Sequence, residues 1–200
     1  MINFIVVGCG GLGSFFSHQI ALKSIEDETI GEIILVDSDS LEEKNLPYIL
    51  GKKFIKHYIG IPKAIVLADV LSSINQNLQS IPLFGKYPEE TNHLQFENYL
   101  SIDCRDSPDE SSKFNYKFGL DGHFGSMVVN PRDIKQKKQS RYTIAYSRFS
   151  ASLFSSICCN WVLNQEHKKF DKRARFIINL EHCTPEVNYV RENNILRRSG

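Results

Sequence analysis

A chain of 200 residues with 42% hydrophobic, 11% aromatic and 24% charged side chains can bury one substantial core but is too short for two full-sized domains. Twenty-four Lys plus Arg against 23 Asp plus Glu leave a formal charge of +1, which excludes an acidic solvating tail and gives no whole-chain case for nucleic-acid binding. No run approaches the roughly 20 apolar residues of a membrane span. Met1 to Val7 leads into a glycine turn, not a signal-peptide cleavage site, so a cytoplasmic protein without a membrane partner is expected.

Ile2 to Val7 is a continuous apolar run of strand length, as in a parallel strand buried on both faces, and is expected at the centre of a sheet. Gly8-Cys9-Gly10-Gly11-Leu12-Gly13-Ser14 follows, and Phe15, Phe16, Ile20 and Leu22 then recur at helical spacing. Ile33 to Val36 is a second buried strand ending at Asp37-Ser38-Asp39-Ser40, which completes a right-handed βαβ unit. Ile65 to Ile74 carries a helical stripe, and Leu78 to Phe84 reads as a strand that Pro82 places near an edge. A short helix over Asn92 to Tyr99 and a strand from Tyr99 to Asp103 are expected next. Phe114 to Phe118 and Gly125 to Val129 read as strands around a turn at Gly119-Leu120-Asp121-Gly122. Ser147 to Asn164 is a helix, and Arg175 to Leu180 with Val187 to Val190 form a terminal antiparallel hairpin. The pattern predicts an α/β class: a Rossmann-like mixed sheet with helices on both faces and C-terminal antiparallel strands, in a single domain over 1–192 with a flexible tail over 193–200.

Charge is uneven along the chain. Residues 1–130 carry 10 basic and 17 acidic side chains, net −7, and residues 131–200 carry 14 and 6, net +8. The asymmetry marks either a partner surface or mutual complementation within the fold. The five cysteines, Cys9, Cys104, Cys158, Cys159 and Cys183, form neither CxxC pairs nor a Cys/His array, which argues against a zinc site and a disulfide framework. The first four read as buried small hydrophobes, whereas Cys183 beside His182 is an exposed thiol at a hairpin turn. His18 and His123 read as structural or surface residues.

Gly8, Gly10 and Gly13 form GxGxxG after a strand and before a helix, where glycines permit a tight turn and let a phosphate approach backbone N–H groups. Asp37, 24 residues beyond Gly13, ends the next strand, where a carboxylate in this topology accepts hydrogen bonds from ribose hydroxyls. Glycines and Asp37 alone would suit a nicotinamide-dependent oxidoreductase equally well. Asp39-Ser40-Leu41, Asn45-Leu46, Gly60-Ile61-Pro62-Lys63 and Asp103-Cys104-Arg105-Asp106 then follow in order.

With those motifs the sequence resembles the ThiF, MoeB and HesA family, relatives of the ubiquitin-activating enzymes. Gly122 to Val129, the small-residue helix and the final hairpin extend the likeness over about residues 2 to 190. The resemblance implies ATP and Mg²⁺ as cofactors, and adenylation of the C-terminal carboxylate of a ubiquitin-like or sulfur-carrier protein with release of pyrophosphate, in a homodimer. Carried onto this chain, Gly8, Gly10, Gly11 and Gly13 would line the nucleotide, Asp37 would hold the ribose and Lys63 would neutralise phosphate charge. Asn45 would donate to the phosphates or cap a turn. Asp106 would ligate Mg²⁺, and Asp39 and Asp103 would either serve the site or cap strand ends.

Two departures stand out. Tyr48 occupies the position of a family arginine that reaches the phosphates, and it cannot offer a bidentate cationic fork, which leaves Lys52, Lys53 or Lys56 as point-charge substitutes. The first strand begins at residue 2, so the family's N-terminal arm, which brings an arginine across a dimer, is expected to be missing. No catalytic-cysteine loop is expected either, with a basic segment over 131–140 in its place. The alternatives are a catalytically silent or partner-dependent binding subunit, an oxidoreductase, and nucleic-acid binding through Lys135 to Lys138, Lys168 to Arg175 and Arg197-Arg198. The last lacks an aromatic stacking platform.

Overall fold

The computed structural model describes residues 1–47, 49, 56–87, 99–105, 114–121, 124–129, 148–164, 174–180, 184–191 and 194–195. β1 (Ile2–Val7), α1 (Gly11–Glu26), β2 (Ile30–Asp37), α2 (Lys63–Ile74) and β3 (Gln79–Phe84) make two successive βαβ turns. β4 (Tyr99–Asp103), β5 (Tyr116–Asp121) and β6 (Phe124–Val129) precede α3 (Arg148–Leu163), and β7 (Ala174–Asn179), β8 (Thr184–Arg191) and β9 (Asn194–Ile195) follow it. The strands form one sheet in the order β3-β2-β1-β4-β5-β6-β7-β8-β9. Pairing is parallel from β3 to β5 and antiparallel from β5 to β9.

β1 therefore has a parallel neighbour on each side, which is why its whole run can be apolar. Its period-2 alternation sorts two cores. Phe4 and Val6 join Ile33, Leu35 and the inner faces of α1, α2 and α3, whereas Ile5 and Val7 join Ile34, Val36 and Phe114 on the opposite side. Pro82 sits on β3, the outer strand, where a missing N–H on the open side leaves no ladder bond unmade. The expected helix over Asn92 to Tyr99 lies outside the described residues, apart from Tyr99 itself, which opens β4.

Two expectations are corrected. The turn expected at Gly119-Leu120-Asp121-Gly122 is strand through Asp121, because Gly119↔Ser126, Leu120↔Gly125 and Asp121↔Phe124 continue the β5–β6 ladder. On the partner strand a glycine supplies an absence of bulk: a Cβ on Gly125 would overlap the ring of Phe154. Asn194 and Ile195, expected in a frayed tail, pair with Arg191 and Val190 through main-chain bonds that no apolar pattern announces.

The aromatic stack fixes α1 to the sheet. Phe16 meets Phe4 at 6.4 Å and Phe118 at 5.1 Å between ring centroids, and Phe118 meets Phe154 at 6.0 Å, all edge-on. Edge-on ring pairs add about 0.5–1.5 kcal/mol each beyond area burial. Gly125→Ala is expected to destabilise the protein by about 1–3 kcal/mol in urea unfolding, through overpacking against Phe154. In a double-mutant cycle Phe154→Leu should recover part of that loss, and strict additivity would show that the ring is not the cause.

Candidate nucleotide-binding site

The parallel strands fan apart where the order reverses between β1 and β4, and a cleft opens at their C-terminal ends. Main-chain bonds tie its floor together. Gly8 N–H donates to Val36 C=O at 2.9 Å, Cys104 N–H to Val7 C=O at 2.8 Å and Gly85 N–H to Asp37 C=O at 3.1 Å. The cleft has a volume of about 600 Å³ and is bordered by Gly8, Gly10, Gly11, Asp37, Asp39 and Lys63, together with Gly85 to Tyr87, Arg105 and Phe118 to Leu120.

The glycine turn works through three different constraints. Gly8 has φ +94°, a conformation costly for any other L residue, and a Cβ there would also press on Arg105 and Cys104 at 3.1 Å. Gly10 is the N-cap of α1 and no side chain caps that helix, so the first turn presents its N–H groups without a competing acceptor. Gly13 does not border the cleft, contrary to expectation. A Cβ on Gly13 would overlap the Gly8 carbonyl oxygen, so its part is to let α1 close on β1.

Asp37 closes the turn from the next strand. Its Oδ2 accepts the Cys9 N–H at 2.6 Å and its Oδ1 accepts the Asp39 N–H at 2.8 Å. Burial raises the carboxyl above its ordinary pKa, against the pull of those two N–H groups and of Lys63. Asp39 in turn organises Lys63. Lys63 N–H donates to the Asp39 carbonyl at 2.9 Å and Lys63 Nζ pairs with Asp39 Oδ2 at 2.8 Å. A Ser40↔Pro62 bridge and the bonds of Leu41 N–H to Ile61 C=O and Gly60 N–H to Leu41 C=O bring residues 39–41 and 60–63 side by side. A cation at a helix N-terminus is unfavourable without an anion, and here Asp39 provides it. The Lys63 side chain is only 9% exposed and that of Asp39 64%, so the lysine is fixed in position and its partner remains open to water.

Asn45 does not border the cleft and takes the turn-capping alternative. Its Oδ1 accepts the Glu42 N–H at 2.9 Å in a capping box around the short 3₁₀ turn Glu43–Asn45. Asp103 is fully buried and accepts from Arg105 Nε at 3.0 Å, from the Arg105 N–H at 3.0 Å and from Lys117 Nζ at 3.2 Å. It anchors cations instead of meeting ligand. Asp106, Tyr48, Lys52 and Lys53 lie outside the described residues, as do His123, His182, Cys183 and residues 131–140; Lys56 is described and exposed. Cys9, Cys158 and Cys159 are buried and Cys104 is half-buried. Burial raises all four thiols, Cys159 to about 12, which keeps them protonated and unreactive at neutral pH. His18 is half-buried on α1 with its pKa lowered by burial.

Sequence reasoning missed Arg105, Lys86, Tyr87 and Lys117. Arg105 stood inside a quoted motif, at a position the motif leaves open. The others follow or enter strands without any local pattern.

A protein-family model described as the ThiF family matches residues 2–112. The chain belongs to the ThiF family. It is 29% identical over 107 residues to the adenylyltransferase and sulfurtransferase UBA4 of Yarrowia lipolytica, covering 53% of this chain and 25% of that protein. It is 31% identical over 108 residues to the adenylyltransferase and sulfurtransferase MOCS3 of Danio rerio, covering 53% and 22%. The chain thus spans about a quarter of the length of these curated relatives. Among solved structures, E. coli MccB with ATP superposes with a TM-score of 0.71 at 20% identity, covering 94% of this chain and 63% of MccB. MccB with AMPCPP and SeMet MccA gives 0.71 at 19%. These likenesses establish the Rossmann-like mixed fold, and no described helix is long and apolar enough to cross a membrane.

The Asp37 shift has a direction that can be measured. A raised carboxyl pKa means that the native state takes up its proton above pH 3.8, so the charged form costs stability at neutral pH and the cost lifts as pH falls through the raised value. A ribose held at Asp37, as the family motif implies, would donate to the charged form, and nucleotide affinity would then fall on acidification within a window beginning above pH 3.8. Asp37→Asn should flatten that pH dependence in a titration series. An Asp37→Asn profile that keeps the wild-type pH dependence would contradict the assignment.

Proposed function

We propose that this ThiF-family chain is an ATP-dependent adenylyltransferase acting on the C-terminal carboxylate of a small ubiquitin-like or sulfur-carrier protein. The observation that carries the reading is the convergence at one cleft of the uncapped α1 N-terminus, the Asp37 carboxylate and the fixed Lys63 ammonium. By the family motif those groups would serve as a phosphate seat, a ribose acceptor and a phosphate cation.

The reaction itself needs little covalent help. A carboxylate oxygen of the acceptor forms a bond to the α-phosphorus of ATP, the bond from that phosphorus to the bridging oxygen of the β-phosphate breaks, and pyrophosphate departs with that electron pair. The nucleophile is already ionised, so no general base is required. What the chain must supply is alignment and positive potential. Backbone N–H groups of the glycine turn would hold the phosphates, Asp37 the ribose, and Lys63 would meet the charge that gathers on the departing pyrophosphate. Magnesium suits the donor set: Asp39 offers an exposed carboxylate in the cleft, and Asp106 follows directly on the cleft residue Arg105. Such an ion needs only one or two carboxylates beside phosphate oxygens and water, and when bound it would screen the triphosphate charge.

Asn45 favours a second reading. An expected phosphate donor that does not border the cleft suits a binding subunit that holds nucleotide while another chain completes the chemistry. The oxidoreductase alternative uses the glycines and Asp37 alone and gives Lys63 with Asp39 no task.

ATP–pyrophosphate exchange distinguishes the readings. With a panel of ubiquitin-like and sulfur-carrier proteins as acceptors, the enzyme reading expects exchange with at least one, lost when that acceptor's C-terminus is amidated. Lys63→Ala should lower exchange by about 10²–10³-fold, the usual cost of removing one preorganised charge-stabilising donor. Asp106→Ala should abolish it with the fold intact by circular dichroism. Tight ATP binding without exchange across the panel would favour the binding subunit.

A further inference from the structure

Tyr87, Arg105 and Phe114 converge on the side of the sheet away from α1 and α2. Phe114 packs with Ile5, Val7, Ile34 and Val36, and Tyr87 leans on the same group, whereas the described helices cover the other face. The Tyr87 and Phe114 rings lie 4.7 Å apart at 35°. The Arg105 guanidinium carbon stands 5.7 Å from the first ring centre and 5.5 Å from the second.

The plane of that guanidinium is set before any ligand arrives. Nε and Nη2 donate to the buried Asp103 carboxylate at 3.0 and 3.3 Å, and Nη1 donates to the Tyr87 carbonyl at 3.4 Å. Lys117 holds Asp103 from below at 3.2 Å. With donors on its three nitrogens turned to protein acceptors, the group offers a ligand its flat face more than its edge. Arg105 and Tyr87 both border the cleft, and the arginine side chain is 20% exposed.

The phosphate-handling groups, Gly10, Gly11 and Lys63, are carried by the N-termini of α1 and α2, on the helix-covered side. A nucleotide with its phosphates there and its ribose at Asp37 has its base directed toward Tyr87 and Arg105. We propose that Arg105, locked by Asp103 and seated on Tyr87, is the platform on which the base of a nucleoside phosphate stacks in this cleft. The inference rests on the nucleotide-binding part of the function proposed above. Guanidinium planes stack on bases as aromatic rings do, and stacking accepts any base, so Arg105 contributes affinity and little discrimination between adenine and guanine.

Calorimetric titration of the full chain with AMP, ATP, GTP and inorganic tripolyphosphate tests this. Arg105→Lys keeps the charge, and its ammonium can still meet Asp103, but the plane is lost. It should weaken AMP and ATP by the same factor, about 5- to 100-fold, and leave tripolyphosphate binding unchanged. Wild type should bind ATP and GTP within about tenfold of each other. Tyr87→Ala, which leaves the Arg105–Asp103 pair in place, should show the same pattern and carries the test if Arg105→Lys does not fold. Unchanged AMP affinity in both variants, or losses that grow with phosphate number, would overturn the role of Arg105 while leaving the nucleotide site standing. A wild-type protein that binds none of the nucleotides would remove the site and this inference together.

Discussion

The close approach of Gly13 to the carbonyl of Gly8 is the constraint on which the cleft depends. Only without a Cβ at position 13 can α1 begin so near the end of β1, and only with φ +94° at Gly8 can the chain turn from strand into helix in the residues available. Asp37 then fastens this turn to β2 through the Cys9 N–H. A carboxylate half withdrawn from water is costly in itself, and the two N–H donors and nearby Lys63 partly offset that cost. The same atoms that make the turn stable thus leave a charged oxygen pair beside an uncapped helix terminus, which is the chemical description of a nucleotide seat.

Three cations in or behind the cleft arrive with an anion. Lys63 has Asp39, and Arg105 and Lys117 share Asp103. A buried cation without a partner would be expensive to hold, whereas a paired one can wait in place and be redirected to a stronger anion when phosphates enter. Asp39 suits that exchange because it is exposed and can be rehydrated as Lys63 turns away. Asp103 does not, since it is fully buried and binds two cations at once. The two carboxylates therefore differ in kind: Asp39 pairs its cation at an exposed edge, and Asp103 holds two cations in the interior.

Much of this was legible in the sequence where one residue's chemistry admits one placement. The central strand, the βαβ order, the edge position of β3 and the ring of Gly8, Gly10, Asp37 and Lys63 follow from period, proline chemistry and motif spacing. What escaped depended on partners distant in sequence. Nothing in the sequence near Asn45 shows that its amide oxygen will accept the Glu42 N–H, in a turn that does not border the cleft. Arg105 reads as a filler between two aspartates until Tyr87, 18 residues earlier, and Phe114, nine later, are folded against it. Gly119 reads as a turn because glycine usually is one, yet a ladder partner on β6 keeps it in the strand.

The family match ends at residue 112, but the site it describes is not self-supporting there. α1 carries the phosphate turn, and the inner side of α1 is pinned by Phe16 on Phe118 of β5, which is itself held by Phe154 of α3. Phe154 fits only because Gly125 of β6 leaves room for its ring. Ser155, the next residue on α3, reaches the carbonyl of Leu12 in the first turn of α1. The antiparallel half and α3 thus act on the cleft from behind, setting the angle at which α1 points its N-terminus. A fragment cut after β4 would keep four of the motif clusters and lose the wall against which the glycine turn is pressed. The C-terminal strands are therefore part of the cleft in the mechanical sense, even though no residue beyond Leu120 borders it among those described.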